Sequence, residues 1–420
     1  MSELRIGRTH KRLSRFIVIM LWLVAFCMPL NPFVGDACLA VGLIAGLVDS
    51  ILYRFLYKGF GRLQWLVVAF MVWSCVSVLL SPRPMDTFAS WFYTVGLYGS
   101  VYFLMWRYMR DSDNQRWFIR LVIASAGLVC LVGFYQYFHM HGLGHMTVWV
   151  DEAQFPGLKR RMFSTLQNPN LLGAYLLMIL SFLGVMVLEK WRIHENKKAL
   201  LGLLVAALFL VCMVLTYSRG IWLSFFAVVA FWGFFVDKRV LPALLVVPVL
   251  LFFYHGEVAA RLWSLFDTQD TSVLLRWALW DSTTYMIADH PVFGIGWDAF
   301  WFVYPKYNYF IQTSGVIIFH AHNMYLNMLA EVGIPGAFFY FAAIVGHGIA
   351  SWRSRIAKTS FLVKYGISAV LLGILISGIT DYDLFSHQVS IVFWQLLGWS
   401  AALMASAESV YQKDNLKGNQ

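Results

Sequence analysis

The chain has 420 residues, of which 60% are hydrophobic, 17% aromatic and only 13% charged, with a mean hydropathy of +0.66 and a net charge of +10. A water-soluble domain carries about a quarter charged residues, so a soluble globular enzyme is excluded. The positive balance suggests nucleic-acid binding, but the placement of the charges argues against it.

Apolar runs near 20 residues recur from end to end, long enough to cross a hydrocarbon core roughly 30 Å thick. Twelve spans are expected, near 15–31, 33–53, 63–81, 88–106, 117–138, 168–189, 199–217, 219–236, 240–255, 321–350, 361–380 and 388–407. The first has basic flanks but no small-residue cleavage site, and reads as a retained span. The fold class is therefore all-α: a polytopic membrane protein with about 12 transmembrane helices, taken as one domain over 1–420. With the N-terminus placed in the cytoplasm, all but eight of the 32 Lys and Arg fall on inside segments or their edges. The eight outside are Arg83, Lys159, Arg160, Arg161, Arg219, Arg261, Arg276 and Lys306. That asymmetry is the positive-inside rule, and it puts both termini in the cytoplasm. The basic charge thus reflects topology, and no nucleic-acid partner is implied. All five cysteines (Cys27, Cys38, Cys75, Cys130 and Cys212) lie within predicted spans, so no disulfide framework or zinc motif is implied.

Two outside segments are long, 139–167 and 256–320. The second interleaves Trp263, Trp277, Trp280, Tyr285, Trp297, Trp301, Tyr304, Tyr307 and Tyr309 with Asp and Thr. Its spacing is helical from Leu274 to Ile287, and His290-Pro291 stops that helix because the residue before proline leaves the helical region. Short amphipathic helices on the outer leaflet are expected, with their aromatics at head-group depth. No internal repeat is evident, which weighs against transporter folds built from related halves. The polar tail after Ala407 reads as a frayed cytoplasmic end.

His322-Asn323 enters an apolar span from the end of that loop. A histidine is the side chain most easily tuned as a general base at neutral pH. His320 and His322 would point in different directions on a helix, so only one of them would face a cavity. The bland alternative is an interfacial histidine bonded to Asn323 or water. Three arginines on the same side suggest an anionic substrate. Arg219 lies in Ser218-Arg219-Gly220 between two spans, Arg276 on the loop helix, and Arg161 at the close of the first loop. Each alone can be a snorkelling or solvated charge. Together they suit a diphosphate, because guanidinium forks bind its oxygens bidentately and stay charged. A metal site is the competing arrangement, drawing on His139, His141, His145, His320, His322, Asp381, Asp383 and His387. The HxH spacing is a weak signal for it. Asp381 and Asp383 read equally as a solvated loop or as a second orienting carboxylate.

Ser218-Arg219-Gly220, Arg276 with His290-Pro-x-x-Gly-x-Gly, and His322-Asn-x-Tyr-Leu-x-x-x-x-Glu-x-Gly-x-x-Gly together resemble the O-antigen ligase and O-antigen polymerase superfamily. The resemblance covers about residues 155–345 by motif. It implies a C-type membrane glycosyltransferase in the bacterial inner membrane, working on the periplasmic face, with 256–320 as a periplasmic loop. The donor would be a glycan on undecaprenyl diphosphate, the acceptor a lipid A-core sugar hydroxyl, and the outcome inversion. His322 would be the base. Arg161, Arg219 and Arg276 would grip the diphosphate, with Arg160, Ser218, His320, Asn323 and Tyr325 in support. Arg160 could take the place of Arg161. No cofactor and no metal is implied. The single long late loop favours a ligase over a repeat-unit polymerase. A transporter of an anionic lipid or solute is the reading from another class, and it would need charges nearer mid-membrane.

Overall fold

The computed structural model describes residues 2–53, 60–139, 161–246, 249, 257–264, 271–307, 317–354 and 361–418. The described residues are 84% helical, with no strand among them. In order come α1 (Ser2–Cys27), α2 (Pro32–Tyr53), α3 (Arg62–Leu79), α4 (Pro84–Trp91), α5 (Leu97–Tyr108), α6 (Ser112–His139), α7 (Pro169–Arg192), α8 (Asn196–Val214) and α9 (Arg219–Phe231). They are followed by α10 (Glu257–Trp263), α11 (Thr271–Asp289), α12 (Phe300–Val303), α13 (Met324–Arg353), α14 (Ser368–Ser377) and α15 (His387–Gly418).

Eight described helices are long and apolar enough to cross a membrane. Three further expected spans are filled by α1, by α4 and α5 joined through a π-turn at Phe92–Gly96, and by Leu362–Ser377. Half of the twelfth, near 240–255, lies outside the described residues, as do Arg160, His141 and His145. The outward side chains are large and apolar: Ile51 is 63% exposed, Leu79 64% and Leu204 62%. Such faces are stable only against lipid, because every helix satisfies its backbone internally and leaves hydrocarbon outside. α7 is an inner helix, buried over most of its length like the apolar part of α15, with α8, α9 and Leu362–Ser377 packed around it.

The loop helix forms as its spacing predicts. α11 covers Leu274–Ile287 and ends at Asp289, just before His290-Pro291. The segment after it does more than stop a helix. α13 is broken at Gly333, whose φ is +69°, with Pro335 beyond. The break frees carbonyls, and the His290–Gly296 turn takes them up: Ile295 N–H donates to Ala330 O at 2.9 Å and Gly296 N–H to Glu331 O at 3.0 Å. Ile334 N–H returns a bond to Pro291 O at 2.8 Å. From the other side, Trp73 Nε1 and Ser77 Oγ on α3 donate to Val332 O and Glu331 O. The two glycine-containing motifs are therefore the two halves of one contact, and it fixes α11 against α13.

Candidate functional site

Three helices begin around one point, and all three begin the same way. Gln167 (φ +59°), Tyr217 (φ +53°) and His322 (φ +48°) take the left-handed conformation that non-glycine residues rarely adopt. Each is followed by an extended cap residue (Asn168, Ser218 or Asn323) and then by α7, α9 or α13. The Asn168 side chain accepts from Asn170 N–H, and that of Asn323 from Tyr325 N–H and Leu326 N–H. Such caps contribute about 1 kcal/mol each. Ser218 makes no side-chain cap bond. α13 therefore starts three residues later than the expected span, and its two histidines are not on a helix. Freed from helical geometry, their rings meet at a centroid distance of 4.3 Å, so the two do not point in different directions as a helix would require.

A polar relay ties the three starts together. His322 Nδ1 lies 3.0 Å from Asp381 Oδ1. The other oxygen, Oδ2, accepts from Asn170 Nδ2 at 2.7 Å. Asn170 Oδ1 accepts from Arg161 Nη2 at 2.8 Å, and Arg161 Nε donates to Thr216 O at 2.8 Å. The base candidate and one arginine are thus two of the four side chains of a single network. Asp381 thus engages Nδ1 of His322 and not Nε2. The 378–381 turn is seated by Met324 N–H to Gly378 O and by Asn323 Nδ2 to Ile379 O. A Cβ on Gly220 would lie 2.4 Å from Thr380 Oγ1, so Arg219-Gly220 packs directly on this turn.

Arg219 is buried, and its Nη1 reaches Ser264 O and Oγ at 2.9 and 2.7 Å. It braces α9 against the end of α10. Arg276 lies close enough for its charge to act on both His320 and Asp381. Its helix is held to the histidine segment by Trp280 Nε1 donating to Ala321 O at 3.1 Å. Tyr325 points away into the bundle, its hydroxyl donating to Leu375 O at 2.7 Å. Arg161, Arg276, His320 and His322 therefore converge, Arg219 turns instead to Ser264, and Asn323 and Tyr325 set the local fold.

The electrostatics separate the titratable groups. Burial, with the charges of His322 and Arg276, pushes the His320 imidazole down to about 3, against the pull of Asp381. Neutral His320 then accepts through Nδ1 from His322 N–H at 3.2 Å. Burial opposes ionisation of Asp381, but His322 and Arg276 overcome it and hold the carboxyl well below its usual range. Asp383, two residues on, behaves oppositely: burial and the Asp381 charge push it up to about 8, despite a hydrogen bond from Ser377 Oγ. Sequence reasoning noticed Asp381 without assigning it, and missed Asn170. Their only signal was an Asn or Asp placed at the same membrane end as the histidines.

His320, His322 and Asp381 also present ligand atoms within 4.8 Å of one another, a spacing that a metal ion can bridge. A metal there would compete with the hydrogen bonds just described, since Nδ1 of each histidine is already engaged.

Residues 203–341 match the family model described as O-antigen ligase. The matched segment is about a third of the chain. Over that segment the chain is similar to the O-antigen ligase superfamily, which supports ligase- or polymerase-type function, a membrane glycosyltransferase-like activity. The segment takes in Arg219, Arg276, His320 and His322, whereas Arg161, Asn170 and Asp381 lie outside it. No curated protein matches the chain.

Proposed function

We propose that the protein is an O-antigen ligase of the bacterial inner membrane that transfers a glycan from undecaprenyl diphosphate to a lipid A-core sugar hydroxyl. The carrying observation is the His322–Asp381–Asn170–Arg161 relay. In this reading His322 Nε2 takes the proton of the acceptor hydroxyl, whose oxygen attacks the anomeric carbon from the face opposite the diphosphate. The C–O bond to the diphosphate breaks as the new one forms, which inverts the centre. Asp381 fixes the ring and balances the imidazolium charge. Arg161 and Arg276 stabilise the departing diphosphate, with Arg219 behind them, aided by three helix N-termini whose dipoles favour negative charge. The site faces the periplasm, both termini face the cytoplasm, and the whole chain acts as one domain with no cofactor.

Purified protein in lipid, given undecaprenyl diphosphate-linked glycan, lipid A-core and chelator, tests this reading. A single upward shift of the acceptor on a gel, lost in His322→Ala, is expected. A glycan ladder still attached to the polyprenyl carrier would make the protein a polymerase. The spacing of His320, His322 and Asp381 favours one further reading, a metal-assisted transfer. It predicts loss of the shift in chelator and its return with added divalent ion.

A further inference from the structure

Both arms of the relay rest on the turn that joins α1 to α2. That turn is fixed by its own chain. Leu30 N–H and Asn31 N–H donate to Cys27 O at 3.0 and 2.7 Å. Asn31 Oδ1 accepts from Phe33 N–H at 3.0 Å and Val34 N–H at 3.3 Å, capping α2, and Pro32 presets the first helical residue. The carbonyls of Met28 and Pro29 then serve the two arms. Thr165 Oγ1, on the segment that carries Arg161, donates to Pro29 O at 2.6 Å. Gln388 Nε2, just past the turn that carries Asp381, donates to Met28 O at 3.1 Å and to Pro29 O at 3.3 Å.

Further along α2, Asp36 meets His387, the first residue of α15, with Oδ1 2.7 Å from Nε2. Asp36 Oδ2 accepts from Tyr93 OH at 2.6 Å, and the Tyr93 ring stacks on that of His387 at 4.4 Å. An ionised carboxylate only accepts, so the ring proton faces Asp36 on Nε2. Nδ1 of His387 is buried and has no hydrogen-bond partner among the described residues, which leaves Asp36 as the polar tie of the ring.

Asp381 and His387 thus stand at the two ends of one short loop. It is wound into a 3₁₀ turn at Asp383–Phe385, with Phe385 N–H donating to Tyr382 O at 3.0 Å and Ser386 N–H to Asp383 O at 3.2 Å. The loop gives a carboxylate to His322 at one end and takes a carboxylate from α2 at the other. Between them Phe385 lays its ring 4.9 Å from that of His320. A loop so bonded has few torsions left to absorb a shift, and passes a displacement at His387 on to Asp381.

We propose that Asp36 and His387 are a positioning pair for the transfer, fixing the Asp381 turn on the α1–α2 hairpin so that Asp381 can hold His322. The inference rests on the reading of His322 as the base, and the pair acts through the loop rather than on the reacting atoms.

His387→Phe tests it, since the ring keeps its stack on Tyr93 and loses its bond to Asp36. In protein purified into lipid, kcat should fall about 10–100-fold, the cost of a small misplacement at a reacting centre, with both KM values near those of the parent. Asp36→Ala should do the same. His387→Gln, whose amide can donate to Asp36, should keep most of the activity. In the Asp381→Asn background, His387→Phe should lower kcat no further, because the pair acts through Asp381. Hydrogen–deuterium exchange across residues 378–386 should quicken in His387→Phe. Unchanged exchange there would overturn the proposal whatever the fate of the His322 reading. A further loss of kcat in the Asp381→Asn background would also overturn it, making His387 a general brace of the fold. Where Asp381→Asn does lower kcat, an unchanged kcat in His387→Phe would overturn it as well. Quicker exchange together with an undiminished kcat in Asp381→Asn would instead uphold the strap and sink the reading of His322 that it serves.

Discussion

Asp381 and His322 are 59 residues apart in sequence, yet the carboxylate oxygen of one lies 3.0 Å from Nδ1 of the other. Because the same carboxylate also accepts from Asn170, its orientation is fixed from both sides, and so is the ring it holds. If His322 is the base, Asp381→Asn should leave the fold intact and lower kcat by about 10²–10⁴-fold, the usual worth of positioned proton transfer. KM for the donor should move little. Steady-state kinetics on the variant decide it, and near-normal kcat would reduce Asp381 to a structural brace.

Arg276 bears on His320 and Asp381 through its charge, from a helix anchored by Trp280. A lysine keeps the charge but loses the planar fork. Arg276→Lys should therefore cost about 10–100-fold in kcat/KM, the scale of one or two charge-assisted hydrogen bonds. Activity within a few-fold of the parent would make Arg276 a source of field alone.

Gly333 cannot bear a side chain without moving its neighbour. A Cβ there would lie 2.1 Å from Val292 O, and the φ of +69° is itself unfavourable for alanine. Gly333→Ala should destabilise the protein by more than the roughly 1–2 kcal/mol of the backbone penalty. Thermal unfolding in detergent reads this directly, and an unchanged transition would mean that the contact between the His290–Gly296 turn and α13 contributes nothing.

Asp383 gives a stability signature in pH. Its folded-state carboxyl is pushed up to about 8, above the unfolded value near 3.9. The folded state thus binds the extra proton between about pH 4 and 8, and stability falls as pH rises through that window. Asp383→Asn, which imitates the protonated acid beside Ser377, should flatten this slope while leaving stability at pH 4 nearly unchanged. Melting temperatures across the range give the comparison, and identical slopes would place Asp383 outside the titration.

The spans were legible because a bilayer imposes one demand, about 20 apolar residues, that any sequence must display openly. His322 and the arginines were legible for a related reason: polar groups at the rim of an apolar helix stand out against their surroundings. Asp381 and Asn170 were not. A single Asp or Asn beside a helix end reads as a cap or a turn, and only the fold shows that two such residues 211 positions apart share a hydrogen bond. The glycine motifs were visible but not their relation, since spacing along the chain says nothing about which carbonyl a broken helix leaves unpaired. The placing of His320 and His322 differs from a helical reading because Asn323 delays the helix and lets the two rings meet.

The relay also sets a timetable for the protein's own synthesis. Arg161 and Asn170 enter the membrane early, His322 follows, and Asp381 arrives only with the turn that links α14 to α15. Until that last hairpin inserts, the histidine has no carboxylate to orient it, and if His322 is the base the nascent chain is inert. A chain ending at Gly378 should accordingly insert and yet transfer nothing, so that each ribosome delivers a working site only once nearly the whole bundle has assembled around it.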